Sequence, residues 1–221
     1  MRKIGLILFF LGLLWGGIQL WMKPYTGYMD ADYYYTVAQN IYAGKGYQDY
    51  LLWNFLADPV QLPTPAAAYW MPAASFIAYL GMLVSGQDSL IAARIPFIVL
   101  FAFAASLTGC FSWSIFRSKL YALVSGSLVL LSGFYLKFVT APDGFAILFL
   151  CGAVLALLIY QRNKLSTAFL SVVMGMVCGV IHMTRAEGFV WVLLAGGFLF
   201  FHLVRKKQNN ERIFAWKVLS Y

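Results

Sequence analysis

The chain has 221 residues, of which 62% are hydrophobic and only 11% are charged, and its mean hydropathy is +0.76. This composition excludes a water-soluble globular protein, because too few polar residues are available to cover a core. The net charge of +8 would indicate nucleic acid in a soluble protein, but here the basic residues form short clusters between apolar runs. We therefore predict a membrane protein whose partner is the lipid bilayer and not nucleic acid.

Six apolar runs are long enough to cross a bilayer as helices, which takes about 17 to 25 residues. Inside lipid each backbone N–H and C=O group must be satisfied within its own segment, so the predicted fold class is all-α, a polytopic transmembrane helix bundle. The predicted helices cover residues 4–22, 91–116, 120–137, 144–160, 165–183 and 188–204. No small-residue cleavage site follows the first run, so we interpret it as a retained helix and not as a signal peptide.

Basic clusters recur after every second predicted crossing, which favours the cytoplasmic side for all of them. The clusters are Arg2 and Lys3, Arg117 and Lys119, Arg162 and Lys164, and Arg205, Lys206, Lys207 and Arg212. The N-terminus is then cytoplasmic, the membrane is the plasma or inner membrane, and residues 23–90 form a long extracytoplasmic loop. This assignment requires the apolar stretch 65–84 to be a juxtamembrane or re-entrant helix, because a crossing there would invert every later loop.

Small and sulfur-containing residues inside the apolar runs predict packing and not chemistry. Cys110, Cys151 and Cys178 are odd in number and lie within apolar runs, which favours neither a disulfide framework nor a zinc site. The pairs at residues 12 and 16 and at residues 175 and 179 are glycines at a spacing that lets helices approach closely. The sequence contains no nucleotide-binding loop, no His-Glu-x-x-His motif and no nucleophile elbow.

The long loop carries two acids, Asp30 and Asp32, at the start of a tyrosine-rich stretch with helical periodicity. One interpretation is a pair of N-cap carboxylates that accept free backbone N–H groups and meet the positive end of the helix dipole. The other is that one of them acts as a general base on an acceptor hydroxyl. Both remain open at this point.

Two later turns on the same side also carry charge. Asp143 follows a proline, which fits either a helix cap or a site acid. Arg185 and Glu187 stand between two apolar helices, where charges are costly unless they are paired or border a polar cavity. A guanidinium at this level would suit a phosphate, which it can bind through two parallel hydrogen bonds. For His182, within the preceding apolar run, we predict an interhelical hydrogen bond.

The order of these features resembles the GT-C glycosyltransferase superfamily, in which a first transmembrane helix is followed by an outer loop with an acid and a tyrosine-rich helix, here residues 30–46. The segments WNFLADP at 53–59, LPTP at 62–65 and YWMP at 69–72 are similar to family 39-like bacterial members related to protein mannosyltransferases and lipid A aminoarabinose transferases. The likeness covers nearly the whole chain in layout, although its motifs are short. It implies an enzyme that moves a sugar from a polyprenyl-phosphate carrier, with inversion, to an extracytoplasmic glycan, lipid or protein acceptor of the cell envelope.

By this resemblance Asp30 matches the loop acid that serves as the base. The usual Asp-Glu pair of the family is Asp30-Ala31 here, so Asp32 either shares or replaces the role. Asp143 matches the second outer acid, which in related oligosaccharyltransferases helps to hold a divalent metal; a metal at Asp143 is left open and no other cofactor is implied. We infer that Glu187 lies near the site.

The departing phosphate needs a cation on the outer side. The candidates are Arg185, Lys137 and Lys45, with Arg94 and Lys23 as further options. Enzymes of this kind continue with more helices, so we expect this chain to be the amino-terminal part of one. The alternative function is a noncatalytic membrane subunit, or a protein that binds or transports the lipid carrier. A small-molecule transporter is less favoured, because the crossings hold few ionisable residues and show no internal repeat.

Overall fold

The structure is a computed structural model that describes residues 2–50, 61–66 and 70–219, with side chains described as far as residue 206 and at residue 208. The predicted motif at 53–59, Tyr69, and the side chains of Glu211 and Arg212 lie outside the described residues. The helices are α1 (Arg2–Met22), α2 (Met29–Tyr42), α3 (Ala73–Ser85), α4 (Leu90–Phe116), α5 (Lys119–Leu130), α6 (Leu136–Val139), α7 (Gly144–Gln161), α8 (Thr167–Thr184) and α9 (Gly188–Leu219). Two short antiparallel strands, β1 (Gln48–Asp49) and β2 (Thr64–Pro65), pair between α2 and α3.

Five helices are long and apolar enough to cross a membrane: α1, α4, α7, α8 and the Gly188–Lys206 part of α9. The predicted all-α bundle is confirmed, and the protein belongs to the class of multi-pass membrane proteins. The single helix predicted over 120–137 is instead broken. Its two parts, α5 and a 3₁₀ turn that continues into α6, are bent by 40°. The break falls at Ser132-Gly133, and glycine is a poor helix former.

Helices α1 and α4 pack closely and run in opposite directions. A Cβ atom added at Gly12 would lie 2.7 Å from the Cα atom of Ala102, and one at Gly16 would lie 2.3 Å from the side chain of Ile98. The packing role predicted for this glycine pair is therefore confirmed. At residues 175 and 179 an added Cβ would meet nothing within 4 Å in the described part of the chain, so the same prediction is wrong for those glycines.

The helix directions separate the bundle into two ends. The end that we call the loop end holds the C-termini of α1 and α8 and the N-termini of α4 and α7, since Arg94 of α4 bonds to the carbonyl of Lys23 and Gly144 packs on Thr184. The opposite end, which we call the basic end, holds the predicted basic clusters. Its cations in the described residues are Arg2, Lys3, Arg117, Lys119, Arg162, Lys164, Arg205 and Lys206.

Helix α3 is too short to span a membrane. Its 13 residues give a length of about 20 Å, against about 30 Å for a hydrocarbon core. It packs back against the start of α4, where a Cβ on Gly81 would lie 2.2 Å from the carbonyl oxygen of Ala92. The segment from α1 to α4 thus begins and ends at the loop end, as the prediction of no net crossing requires.

Candidate active site

Asp143 is the most firmly held acid at the loop end. It is the N-cap residue of α7 and only 3% exposed, and one carboxylate oxygen accepts the backbone N–H of Gly144. The other oxygen accepts the hydroxyl of Tyr28 at 2.5 Å. Burial raises the pKa of Asp143 above its ordinary value, and the two donated hydrogen bonds partly oppose this shift. The predicted cap interpretation is confirmed, and the same residue also ties α7 to the start of α2.

Asp30 and Asp32 lie in the first turn of α2, but neither is its N-cap residue. That position is Tyr28, whose side chain makes no capping hydrogen bond, so the predicted N-cap pair is wrong. Both carboxylates still meet the positive end of the helix dipole. Asp32 is exposed and accepts a hydrogen bond from Thr26 Oγ1. Asp30 is half-buried, and its carboxylate makes no hydrogen bond or ion pair with the described residues.

Asp30 shares its surroundings with Asp143. Burial is the largest cause of the raised pKa values of Tyr28 and Tyr34, and the negative charge of Asp143 is the second. The charge of Asp30 acts in the same direction. The charge of Asp30 also contributes to the raised pKa of Asp143. Asp32 contributes to none of these shifts. The structure therefore distinguishes Asp30 from Asp32, which the resemblance allowed to share or replace its role.

Arg185 brings a positive charge to the same place. It is the C-cap residue of α8 and forms an ion pair with Glu187, with N···O distances of 3.1 and 3.3 Å. Its guanidinium carbon lies 5.6 Å from the ring centre of Phe145 at the start of α7. The pKa of Arg185 is raised, first by the hydrogen bond to Glu187 and further by the charge of Asp143.

Aromatic rings connect Lys137 to this group. The Lys137 ammonium lies 4.6 Å from the ring centre of Phe138, which contacts Tyr28 edge-on at 4.9 Å and Phe145 at 5.0 Å. Tyr28, Phe138 and Phe145 form an aromatic wall, with Lys137 over the Phe138 ring and Arg185 over the Phe145 ring. Tyr28, Phe138 and Phe145 were missed by the sequence analysis, because no local pattern joins residue 28 to residues 138–145.

Three other predicted residues lie apart from the group. Lys45 follows the far end of α2, about 20 Å from Asp30 along this 14-residue helix, and lies over the ring of Tyr50 at 5.5 Å. Arg94 is 2% exposed and donates to the carbonyl of Thr140 at 2.7 Å and to that of Lys23, so it clamps three segments together. His182 is exposed and lacks the predicted interhelical hydrogen bond within the described residues.

The donor set for a metal is small. Asp30 and Asp143 are two carboxylates, and no group of three or more His, Cys, Asp or Glu residues occurs among the described residues. Mg²⁺ can be held by one or two carboxylates together with substrate phosphates. The metal at Asp143 that the resemblance leaves open therefore stays a prediction.

Comparisons of the chain with protein-family models, curated proteins and solved structures give no significant match. The fold defines the class, a multi-pass α-helical membrane protein. The features of this molecule that bear on its function are the acids, cations and aromatic rings at the loop end.

Proposed function

We propose that this chain is the catalytic module of a membrane glycosyltransferase that moves a sugar from a polyprenyl-phosphate donor to an extracytoplasmic acceptor, with Asp30 as the general base. The observation that carries the proposal is the contrast between the two central acids. The carboxylate of Asp143 is occupied by donated hydrogen bonds, whereas that of Asp30 is half-buried and unbonded among the described residues. A carboxylate that still has its acceptor positions open can take a proton from a substrate.

The chemistry needs one base and one stabilised leaving group. Asp30 takes the proton of the acceptor hydroxyl. The oxygen of that hydroxyl attacks the anomeric carbon of the sugar from the face opposite the phosphate. The bond between the anomeric carbon and the phosphate oxygen breaks, and its electron pair goes to the phosphate. Because attack and departure occur on opposite faces, the anomeric configuration is inverted.

Arg185 is the cation best placed to meet the phosphate. Its present partner, Glu187, has a side chain that is 67% exposed, and exposed ion pairs contribute only about 0 to 1 kcal/mol. A phosphate can therefore replace Glu187 and accept two parallel hydrogen bonds from the guanidinium. Lys137, over the Phe138 ring of the aromatic wall, would add a second positive charge.

The distribution of charge supports the proposed sidedness. The basic clusters gather at the end opposite the candidate site, and such clusters favour the cytoplasm. The loop end would then be extracytoplasmic, with the N-terminus in the cytoplasm. A polyprenyl chain could remain in the membrane while its sugar phosphate lies at the level of Asp30 and Arg185.

The test is sugar transfer by the purified chain in liposomes, with a set of polyprenyl-phosphate sugars and a cell-envelope extract as the source of acceptor. We expect Asp30→Asn to reduce the rate by at least about 100-fold, because general-base catalysis contributes about 10² to 10⁴. Asp32→Asn is the matched control, since it removes the same charge from the same helical turn at an exposed position.

The outcomes separate the candidate functions. Full activity of a folded Asp30→Asn variant would contradict the base assignment, and selective loss in Asp32→Asn would move the role to that residue. Donor binding by the native chain without transfer to any acceptor would favour the alternative, a noncatalytic subunit or a protein that binds or transports the lipid carrier.

A further inference from the structure

A second charged region lies at the basic end of the bundle, between the loop that joins α7 to α8 and the last fully described turns of α9. A cavity of about 810 Å³ opens there. Three cations line it: Arg162 from the loop, and Arg205 and Lys206 from α9. The cavity is separated from the candidate active site by the length of α7, about 27 Å for its 18 residues.

These three cations have no acidic partner within the described residues. Arg162 donates to the carbonyl oxygen of Ile159 at 3.0 Å, and Lys206 donates to the hydroxyl of Thr167 at 3.0 Å. Arg205 is exposed and makes no hydrogen bond with the described part of the chain. Among the described residues, no Asp or Glu lines the cavity. Neighbouring like charges repel one another, so an anion bound between them would be favoured.

The remaining wall of the cavity is mixed. Asn163 and His202 are polar, whereas Leu165, Phe198 and Phe201 form an apolar part, in which Phe201 is 67% exposed. The part of α9 that leads to the cavity is a candidate membrane span whose residues are almost all on the surface of the bundle. The cavity thus lies where an apolar, outward-facing helix meets a basic rim, as expected at a boundary between membrane and water.

We propose that this cavity binds the phosphate headgroup of an anionic glycerophospholipid, whose acyl chains lie along the apolar surface of α9. The two guanidinium groups, Arg162 and Arg205, can each bind phosphate oxygens through parallel hydrogen bonds. The nearby N-terminus of α8 adds a partial positive charge. A soluble phosphate would satisfy the cations but would leave the exposed Phe201 ring uncovered, so the combined surface fits a lipid better.

The experiment is native mass spectrometry of the purified chain, titrated with phosphatidylglycerol or with phosphatidylcholine of the same acyl chains. We expect phosphatidylglycerol to bind at least about tenfold more tightly, because each cation near an anionic headgroup contributes roughly fivefold. The triple variant Arg162→Gln, Arg205→Gln, Lys206→Gln should lose this preference. The control triple variant Arg2→Gln, Lys3→Gln, Lys119→Gln removes three exposed charges from the same end, outside the cavity, and should retain it.

Three results would overturn the proposal. Equal losses in both triple variants would indicate diffuse attraction to the whole basic end. Absence of any preference for the anionic lipid would exclude a lipid as the ligand. An acidic protein segment would then be the partner to test. Full competition by inorganic phosphate at the same concentration would indicate a soluble anion site.

Circular dichroism checks that each variant is folded. If the triple variant does not fold, Arg162→Gln alone should weaken phosphatidylglycerol binding about fivefold.

Discussion

Asp143 and Tyr28 form the central side-chain contact of the candidate site. The Tyr28 hydroxyl donates to the Asp143 carboxylate at 2.5 Å across 115 positions of sequence, and the backbone N–H of Gly144 donates to the other oxygen. Burial raises the pKa of Asp143, while these two hydrogen bonds favour its charged form. The protonation of this acid is thus set by packing at the loop end and not by its immediate sequence.

Replacing Tyr28 by phenylalanine should raise the pKa of Asp143 further, because the variant loses a hydrogen bond that stabilises the carboxylate. The measurement is a pH titration of the aspartate side-chain carbon signals by NMR, with Asp143→Asn used to assign the resonance. Tyr25→Phe serves as the control, since Tyr25 is 64% exposed and is not among the groups that shift the pKa of Asp143. An unchanged titration in Tyr28→Phe would show that the hydrogen bond does not form.

The raised pKa of Asp143 also predicts a pH dependence of stability. The folded state holds this proton more tightly than the unfolded state does. The stability contributed by the protonated group is therefore complete below the ordinary pKa of aspartic acid and is lost as the pH rises through the raised value. Asp143→Asn, which stays neutral, should flatten the curve of thermal unfolding against pH in this acid range. An unaltered curve would contradict the assigned shift.

Arg185 and Glu187 should differ in their effects on transfer. Arg185→Gln removes the cation that meets the phosphate, so kcat should fall by about 10²-fold or more, in the range that one stabilising donor contributes. Glu187→Gln removes only the competing partner, so the apparent KM for the donor should stay equal or decrease. Steady-state kinetics with varied donor concentration measure both kcat and KM.

A chelator added to the native chain tests the metal that the resemblance leaves open. If Arg185 and Lys137 carry the phosphate charge, transfer should survive chelation, and complete loss would assign that charge to a bound divalent metal.

Helix α4 organises the bundle at the level of secondary-structure elements. It packs against α1, α3, α5 and α7, and its buried Arg94 fixes the positions of Lys23 and Thr140. Arg94 was considered as a phosphate ligand from sequence, and the structure gives it a positioning role instead. By holding the end of α1 and the turn before α7, it sets where Tyr28 and Asp143 meet.

The contact between α1 and α4 predicts a large difference between two neighbouring glycines of α1. Gly12→Ala should lower the free energy of unfolding by about 1 to 3 kcal/mol, because the new methyl group would meet the backbone of Ala102 at 2.7 Å. Gly17→Ala places its methyl group in open space and should not destabilise. Reversible unfolding in mixed detergent micelles measures the difference. Equal stability of the two variants would contradict this helix contact.

At the scale of the whole molecule, the two ends carry different chemistry. Asp30, Asp143 and Arg185 meet at the loop end, whereas the basic clusters occupy the other end. This separation depends on α3 returning to the side from which it started. A crossing by α3 would leave Asp30 outside but would place Asp143, Arg185 and the later basic clusters on the sides opposite to those proposed.

Labelling of single cysteines tests this arrangement. In a background without the three native cysteines, Tyr25→Cys and Gln87→Cys should react with a membrane-impermeant maleimide added outside intact cells. Asn163→Cys should react only after the membrane is permeabilised. All three positions are exposed, so differences in reactivity report sidedness and not burial. Labelling of Tyr25→Cys and Gln87→Cys from opposite sides would show that α3 crosses.

The sequence by itself determined the membrane class, the all-α fold, the approximate limits of most helices and the alternation of basic clusters, because hydropathy and helical period are local properties. It also marked Asp30, Asp143 and Arg185 as charged residues beside apolar runs. Only the tertiary structure decided that Asp143 is held by Tyr28, that Asp30 remains unbonded among the described residues, that Arg94 is a clamp, and that the predicted helix over 120–137 is broken. These outcomes depend on contacts between helices far apart in the chain, and such contacts follow from how the helices pack and not from any local pattern.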